Sequence, residues 1–248
     1  MSSKDARYQR FIVLRDVGKE GLKRIRAAKV VVIGIGGLGS ISATKLTTLG
    51  IGHLRIVDPD IVDASNLQRQ FLYRKQDIGK PKIPLAARRL QPLNPDVTIE
   101  PRQERLSEDT VDDLVKGMDV IVDGLDRFAP RYIINKASVR HEIPYAFAGA
   151  LGATGNLTTI LPGRTPCLEC IYGGVDDAQQ PTCHTIGVYP TLLGVVANIQ
   201  VHETLRILLG QSPQLAGQLL FVDLNSLRFD QFPIAHHLDC PVCSNTRQ

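Results

Sequence analysis

Residues 27–34 carry an unbroken β-branched run, KVVVIG at its centre, and the chain then reads Gly34-Ile35-Gly36-Gly37-Leu38-Gly39-Ser40. A run of that kind is a strand buried on both faces, and buried strands of this type belong to parallel sheets. Residues 41–49 repeat apolar side chains at helical spacing and stop at Gly50, a common helix terminator. Residues 53–58, HLRIVD, form a second strand that ends on an acid. Strand, glycine turn, helix and strand make a βαβ unit, the opening of a doubly wound fold.

The alternation continues. Helical patterns cover 80–90 and 131–141, and a helix capped by Ser107 is expected to run through Val115 with Glu108 and Asp109 near its start. Strand patterns cover 97–100, 119–123 and 144–147. After residue 150 the texture changes. Residues 153–161 alternate like a strand, 162–181 read as irregular chain, 191–209 are helical, and 218–222 and 226–234 form a closing pair of strands. The expected fold class is α/β: a Rossmann-like, mostly parallel sheet with a C-terminal antiparallel extension. The 248 residues read as a single domain, with a helical arm over 1–26, a nucleotide-binding part over 27–150 and a crossover part over 151–248.

Composition narrows the function. Hydrophobic residues are 43%, charged ones 22%, and the net charge is +4. That balance suits a soluble globular chain and gives no case for nucleic acid. No apolar run reaches the roughly 18 residues of a membrane span, and the N-terminus lacks the apolar stretch of a signal peptide. A cytoplasmic protein is expected.

The glycine loop in this context points to a nucleotide. Gly34, Gly36, Gly37 and Gly39 let backbone approach phosphates at a helix N-terminus, and Asp58 stands where an acid hydrogen-bonds a ribose. The loop alone does not separate a nicotinamide dehydrogenase from an ATP enzyme. Asp60, Asn66, Arg69, Gln70, Lys80 and Lys82 follow closely; the amide and cationic groups suit a triphosphate whose charge needs offsetting. Of the two lysines, Lys80 is the solvated neighbour. Asp123 and Asp126 end the DVIVDGLD stretch. Asp126 is the candidate Mg²⁺ ligand and Asp123 the structural acid.

Five cysteines divide as four plus one. Cys167/Cys170 and Cys240/Cys243 are C-x-x-C pairs, and Cys183 stands alone. Two such pairs complete a tetrahedral shell for a structural Zn²⁺ that would tie the C-terminal tail to the crossover segment. A redox C-x-x-C sits at a helix start, and neither pair reads clearly that way. His141, His202, His236 and His237 show no ligand spacing and are expected at the surface or in packing.

Taken together, Arg7-Tyr8-Gln9-Arg10, GIGGLGS, VDPDIVDASNLQRQF, GKPK, DGLDRF, the paired cysteines and Thr182-Cys183 resemble the MoeB/ThiF/HesA family, relatives of ubiquitin-activating enzymes, over nearly the whole chain. The resemblance implies adenylation. The C-terminal glycine carboxylate of a small ubiquitin-fold sulfur carrier, ending in Gly-Gly, would attack the α-phosphate of ATP and release pyrophosphate. It implies Asp58 on the ribose, Asn66, Arg69 and Lys82 on the phosphates with Gln70 nearby, and Asp126 on Mg²⁺. It places Arg10 in the ATP site of the other subunit of a homodimer, and the carrier on the 151–248 part. Cys183 resembles a cysteine that forms a thioester or persulfide-linked adduct in some members, with His184 or a nearby cation favouring the thiolate; a dispensable thiol is the other reading. With no further domain after the last cysteine pair, sulfur is expected from a separate sulfurtransferase. One departure stands out: Arg127 follows Asp126 where the family commonly has asparagine. The competing functions are adenylation of another carboxylate or of a tRNA base, and a catalytically silent partner subunit.

Overall fold

A computed structural model describes residues 3–183 and 185–244. Along the chain run α1 (Gln9–Ile12), α2 (Gly18–Ala27), β1 (Lys29–Ile33), α3 (Gly37–Leu49), β2 (His53–Val57), α4 (Lys82–Leu90), β3 (Thr98–Arg102), α5 (Val111–Val115) and β4 (Val120–Asp123). Then come α6 (Phe128–Arg140), β5 (Tyr145–Leu151), β6 (Thr154–Ile160), α7 (Leu168–Tyr172), α8 (Pro190–Leu208), β7 (Gln218–Asp223) and β8 (Arg228–Pro233).

All eight strands join one sheet in the order β3-β2-β1-β4-β5-β6-β7-β8. β1 to β5 are parallel, and β6, β7 and β8 add on antiparallel. The mostly parallel α/β fold with its antiparallel extension is the architecture expected from sequence. The strand order reverses between β1 and β4, and a crevice opens there beyond the carboxyl ends of the strands. Because side chains alternate, β1 feeds two layers. Val30 and Val32 pack with Ala43, Leu46, Ile83 and Leu90 of α3 and α4. Val31 and Ile33 pack with Val111, Leu114, Ile134 and Ala137 of α5 and α6. Over the antiparallel half, α8 covers one face, with Leu192 and Val196 against Leu157, Leu220 and Val222. The opposite face of β7–β8 stays open, with Phe221 and Phe232 exposed. Among the described residues, no helix is long and apolar enough to cross a membrane.

Three local expectations change. α6 begins at Phe128 rather than at 131; Pro130 falls in its first turn, where a missing N–H costs nothing. α5 starts after Thr110, not at a Ser107 cap. The Ser107 N–H donates to the Thr110 hydroxyl oxygen at 3.0 Å, and that closes a turn through Glu108 and Asp109. The stretch read as irregular holds α7, and Cys167 is its N-cap.

The crevice depends on a close approach of three glycines. Gly34 (φ 89°) leaves β1 in a conformation that suits only glycine. A side chain on Gly39 would put Cβ 1.8 Å from the Gly34 carbonyl oxygen, and one on Gly124 would come within 2.0 Å of the same atom. Gly39→Ala is therefore expected to cost about 1–3 kcal/mol of stability, the usual range for overpacking, read as a lower midpoint in urea unfolding. An unchanged midpoint would contradict this packing.

Candidate functional site

The glycine loop is anchored before any ligand arrives. Asp58, at the end of β2, accepts the Ile35 N–H at 2.7 Å on one oxygen and the Asp60 N–H at 2.8 Å on the other. Tyr73 donates its hydroxyl to the Ile35 carbonyl at 3.0 Å. Lys82 is buried with Nζ 3.2 Å from Asp60 and 3.8 Å from Asp58. Burial pushes the Asp58 carboxyl above its ordinary range, opposed by the Lys82 ammonium and the two amides. The result is a tightened loop with a cation tethered beside it.

These groups line a cleft of about 1000 Å³, ample for a nucleotide. Gly34, Gly36, Gly37, Asp58, Asp60, Arg69, Gln70, Lys82, Asp126, Arg127 and Cys183 all face it. Gln70 is buried, and its Oε1 has no hydrogen-bond partner among the described residues. A buried acceptor without a donor is costly, and Gln70 is one of the residues that line the cleft. Lys80 is exposed, as expected.

Three candidates stand elsewhere. Gly39 serves the glycine packing and does not line the cleft. Asn66 accepts the Asp63 N–H at 3.1 Å within a capping turn, the local role that competes with phosphate binding. Arg10 lies exposed on α1 and is not among the residues that line this cleft.

The floor is a buried ion pair. Asp123 accepts from Arg131 Nε at 3.0 Å, from the Tyr145 hydroxyl at 2.6 Å and from the Leu125 N–H at 2.8 Å. Burial pushes its carboxyl up, and these three donors oppose that. Arg131 also donates to the carbonyls of Leu125 and Ala148, at 2.6 and 2.8 Å. With its oxygens so engaged, Asp123 is structural, as expected, and no room is left for a metal role. Asp126, three residues on, is exposed to the cleft.

Cys183 is half-buried on the cleft rim, with Sγ 4.0 Å from the Ala150 carbonyl. Burial first, and then Asp126, push its thiol above the ordinary value; Arg69 and Arg131 pull the other way and lose. Nearby cations thus favour the thiolate, as expected, but burial and Asp126 outweigh them. His184 lies outside the described residues.

The two C-x-x-C pairs meet. All four sulfurs lie within 4.8 Å of one another, and no disulfide joins them. Cys167 and Cys240 are 3.6 Å apart, and Cys170 and Cys243 are 3.4 Å apart. That spacing approaches the roughly 3.8 Å edge of a tetrahedron with about 2.3 Å metal–sulfur bonds. Burial first, and then the neighbouring Cys170 and Cys240, push the Cys167 thiol up to about 11, and a cation among the sulfurs is what would make thiolates stable there. Although Cys167 caps a helix, the four-sulfur cluster favours a metal shell over a redox pair. His236, read from sequence as a surface or packing residue near Cys240, has Nδ1 3.8 Å from the Cys243 sulfur.

Some participants escaped sequence reading. Gly124 is legible as a glycine directly after a strand. Gln200 sits in an apolar helix, yet its amide donates to the carbonyls of Asp123 and Ala146 at 2.8 Å each. Asp177, in the stretch read as irregular, reaches α6.

A family model described as the ThiF family matches residues 8–242. The SAMP-activating enzyme E1 of Haloferax volcanii is 39% identical, over 96% of this chain and 88% of its own length. The sulfur carrier protein ThiS adenylyltransferase of Escherichia coli is 35% identical, over 97% and 95%. The crystal structure of Escherichia coli MccB with MccA-N7isoASN has a TM-score of 0.86 at 24% identity, covering 98% of this chain and 76% of that one. The last is a likeness of fold.

Two measurements follow from this geometry. Metal analysis of the purified chain is expected to give about one zinc per chain, the stoichiometry of a four-thiolate site, with Cys240→Ser losing both the metal and several degrees of thermal midpoint. A metal-free protein of unchanged midpoint would remove the site. For Cys183, a raised pKa keeps the thiol protonated at neutral pH. Its alkylation rate should therefore climb by about tenfold per pH unit from pH 7 to 9, because only the thiolate reacts. A plateau near neutrality would show the reverse shift.

Proposed function

The chain belongs to the ThiF family, and from that premise we propose that it is an ATP-dependent adenylyltransferase of a ubiquitin-fold sulfur carrier. The observation that carries the reading is the single cleft that gathers Asp58, Gln70, Arg69, Lys82 and Asp126 with Cys183 on its rim. The names of the relatives above agree with it.

In this reading the amides at the start of α3 receive phosphate oxygens, Asp58 takes the ribose hydroxyls, and Gln70 stands near the phosphates. Lys82 leaves Asp60 for the phosphates, joined by Arg69. Asp126 holds Mg²⁺, which adds positive charge opposite the phosphates. The carrier's terminal carboxylate attacks the α-phosphorus, the bond to the β-phosphate oxygen breaks, and pyrophosphate leaves. The protein supplies position and charge. Arg10 completes the site from the second subunit of a homodimer.

The carrier body rests on the open sheet face next to the cleft. Register puts Phe221 opposite Asp230 and Leu219 opposite Phe232, and Phe221 itself lines the cleft beside Asn156. In the division read from sequence, 27–150 holds the nucleotide and 151–248 the carrier. Zinc on the four cysteines is structural, sulfur comes from a separate sulfurtransferase, and reduced thiolates suit the cytoplasm.

ATP–pyrophosphate exchange, stimulated by a small carrier ending in Gly-Gly, tests this. Lys82→Ala should lower the exchange by about 10²-fold, the scale for removing one charge-stabilising donor. Stimulation by other carboxylates or by tRNA instead, or by nothing alongside tight NAD binding, would overturn the reading.

A further inference from the structure

The stretch between α7 and α8 runs along the cleft, and one of its acids grips the other wall. The Asp177 carboxylate accepts the Phe128 N–H at 2.6 Å and the Ala129 N–H at 2.9 Å. These are the first amides of the 13-residue α6, which have no acceptor within the helix. A carboxylate there also meets the positive end of the helix dipole. Asp176 sets the approach by accepting the Ala178 N–H at 2.9 Å, which closes a single helical turn over Asp177–Gln179.

Both sides of this contact carry proposed machinery. Asp126 and Arg127 immediately precede Phe128. Gln180, Pro181, Thr182 and Cys183 follow Asp177, and all line the cleft. The ring of Phe128 packs against Tyr172, the last residue of α7, with centroids 5.2 Å apart. The α6 N-terminus is thereby held at two points near the start of this stretch, Tyr172 and Asp177.

We infer that Asp177 is a positioning residue: it caps α6 across the cleft and so fixes Asp126 relative to the rim that carries Cys183. Its consequence for catalysis rests on the adenylation reading; its consequence for the rim does not. Without the carboxylate, two helix amides lose their acceptor and the stretch around residues 177–183 opens more often.

The test uses the full chain and two readouts. The first is the alkylation rate of Cys183 by iodoacetamide, resolved from the other cysteines by peptide mass spectrometry. Asp177→Ala should raise it by about tenfold, the scale of losing a helix cap in a locally opening segment. Asp177→Asn, which keeps one acceptor oxygen, should raise it only about threefold by the same reasoning. The second readout is carrier-stimulated pyrophosphate exchange. There Asp177→Ala should lower kcat by about tenfold while the KM for ATP stays within about twofold, with partial recovery in Asp177→Asn, since misplacing a group costs rate more than nucleotide binding. A wild-type alkylation rate in folded Asp177→Ala overturns the inference. If Asp177→Ala does not fold, Asp177→Asn decides it, and a wild-type rate there overturns it equally. Absence of exchange in the unaltered protein would instead overturn the adenylation reading, and the alkylation contrast would still judge Asp177.

Discussion

The ion pair between Asp123 and Arg131 is the joint on which the cleft is assembled. It links the end of β4 to α6, and through the Ala148 carbonyl it reaches β5. Gln200 brings α8 to the same point from the other face of the sheet. Burying two charges is costly, and the pair is tolerable because Tyr145, the Leu125 amide and two carbonyls occupy their remaining hydrogen-bonding capacity. Removing one partner would strand the other in a dry site. Its value is geometric more than energetic. With the end of β4 fixed, Gly124 meets Gly34 and Gly39, and the next residues bring Asp126 to the open side.

Much of this was legible in the sequence. β-branched runs followed by glycine or acid marked the parallel strands, because a strand covered on both faces has no polar positions to blur its pattern. The glycine loop and Asp58 followed from position within that unit, and Lys82 from the cations that come soon after it and from the family resemblance. The paired cysteines were legible because ligand spacing is a local property. Legibility failed where partners are distant in the chain. Asp177 looks like any loop acid, and only the fold places it 49 residues away against the Phe128 amide. Gln200 disappears into an apolar helix for the same reason. The protonation of Cys183 needed the fold as well, since it balances burial against charges brought in from three other segments.

The two halves of the sheet differ in how they are covered. The parallel half is clad on both faces and leaves a crevice only at its switch point. The antiparallel half has α8 on one face and Phe221 and Phe232 showing on the other. Antiparallel strands tolerate one open face, and exposed aromatic side chains beside a cleft are the kind of surface a protein partner covers. The proposed function therefore places small-molecule chemistry and protein recognition on adjoining parts of one sheet.

The proposed metal on the cysteine cluster has a second consequence, for the stability of the segment between the two pairs. Cys167 and Cys243 bracket α8, β7, β8 and the stretch that carries Asp177 and Cys183. An ion that joins the sulfurs turns all of that into a closed loop and takes conformations away from the unfolded ensemble. β7 and β8, with one face bare, have less apolar cover to hold them down than the parallel half. With an ion on the cluster, peeling these two strands from the sheet would become an event the whole loop must share.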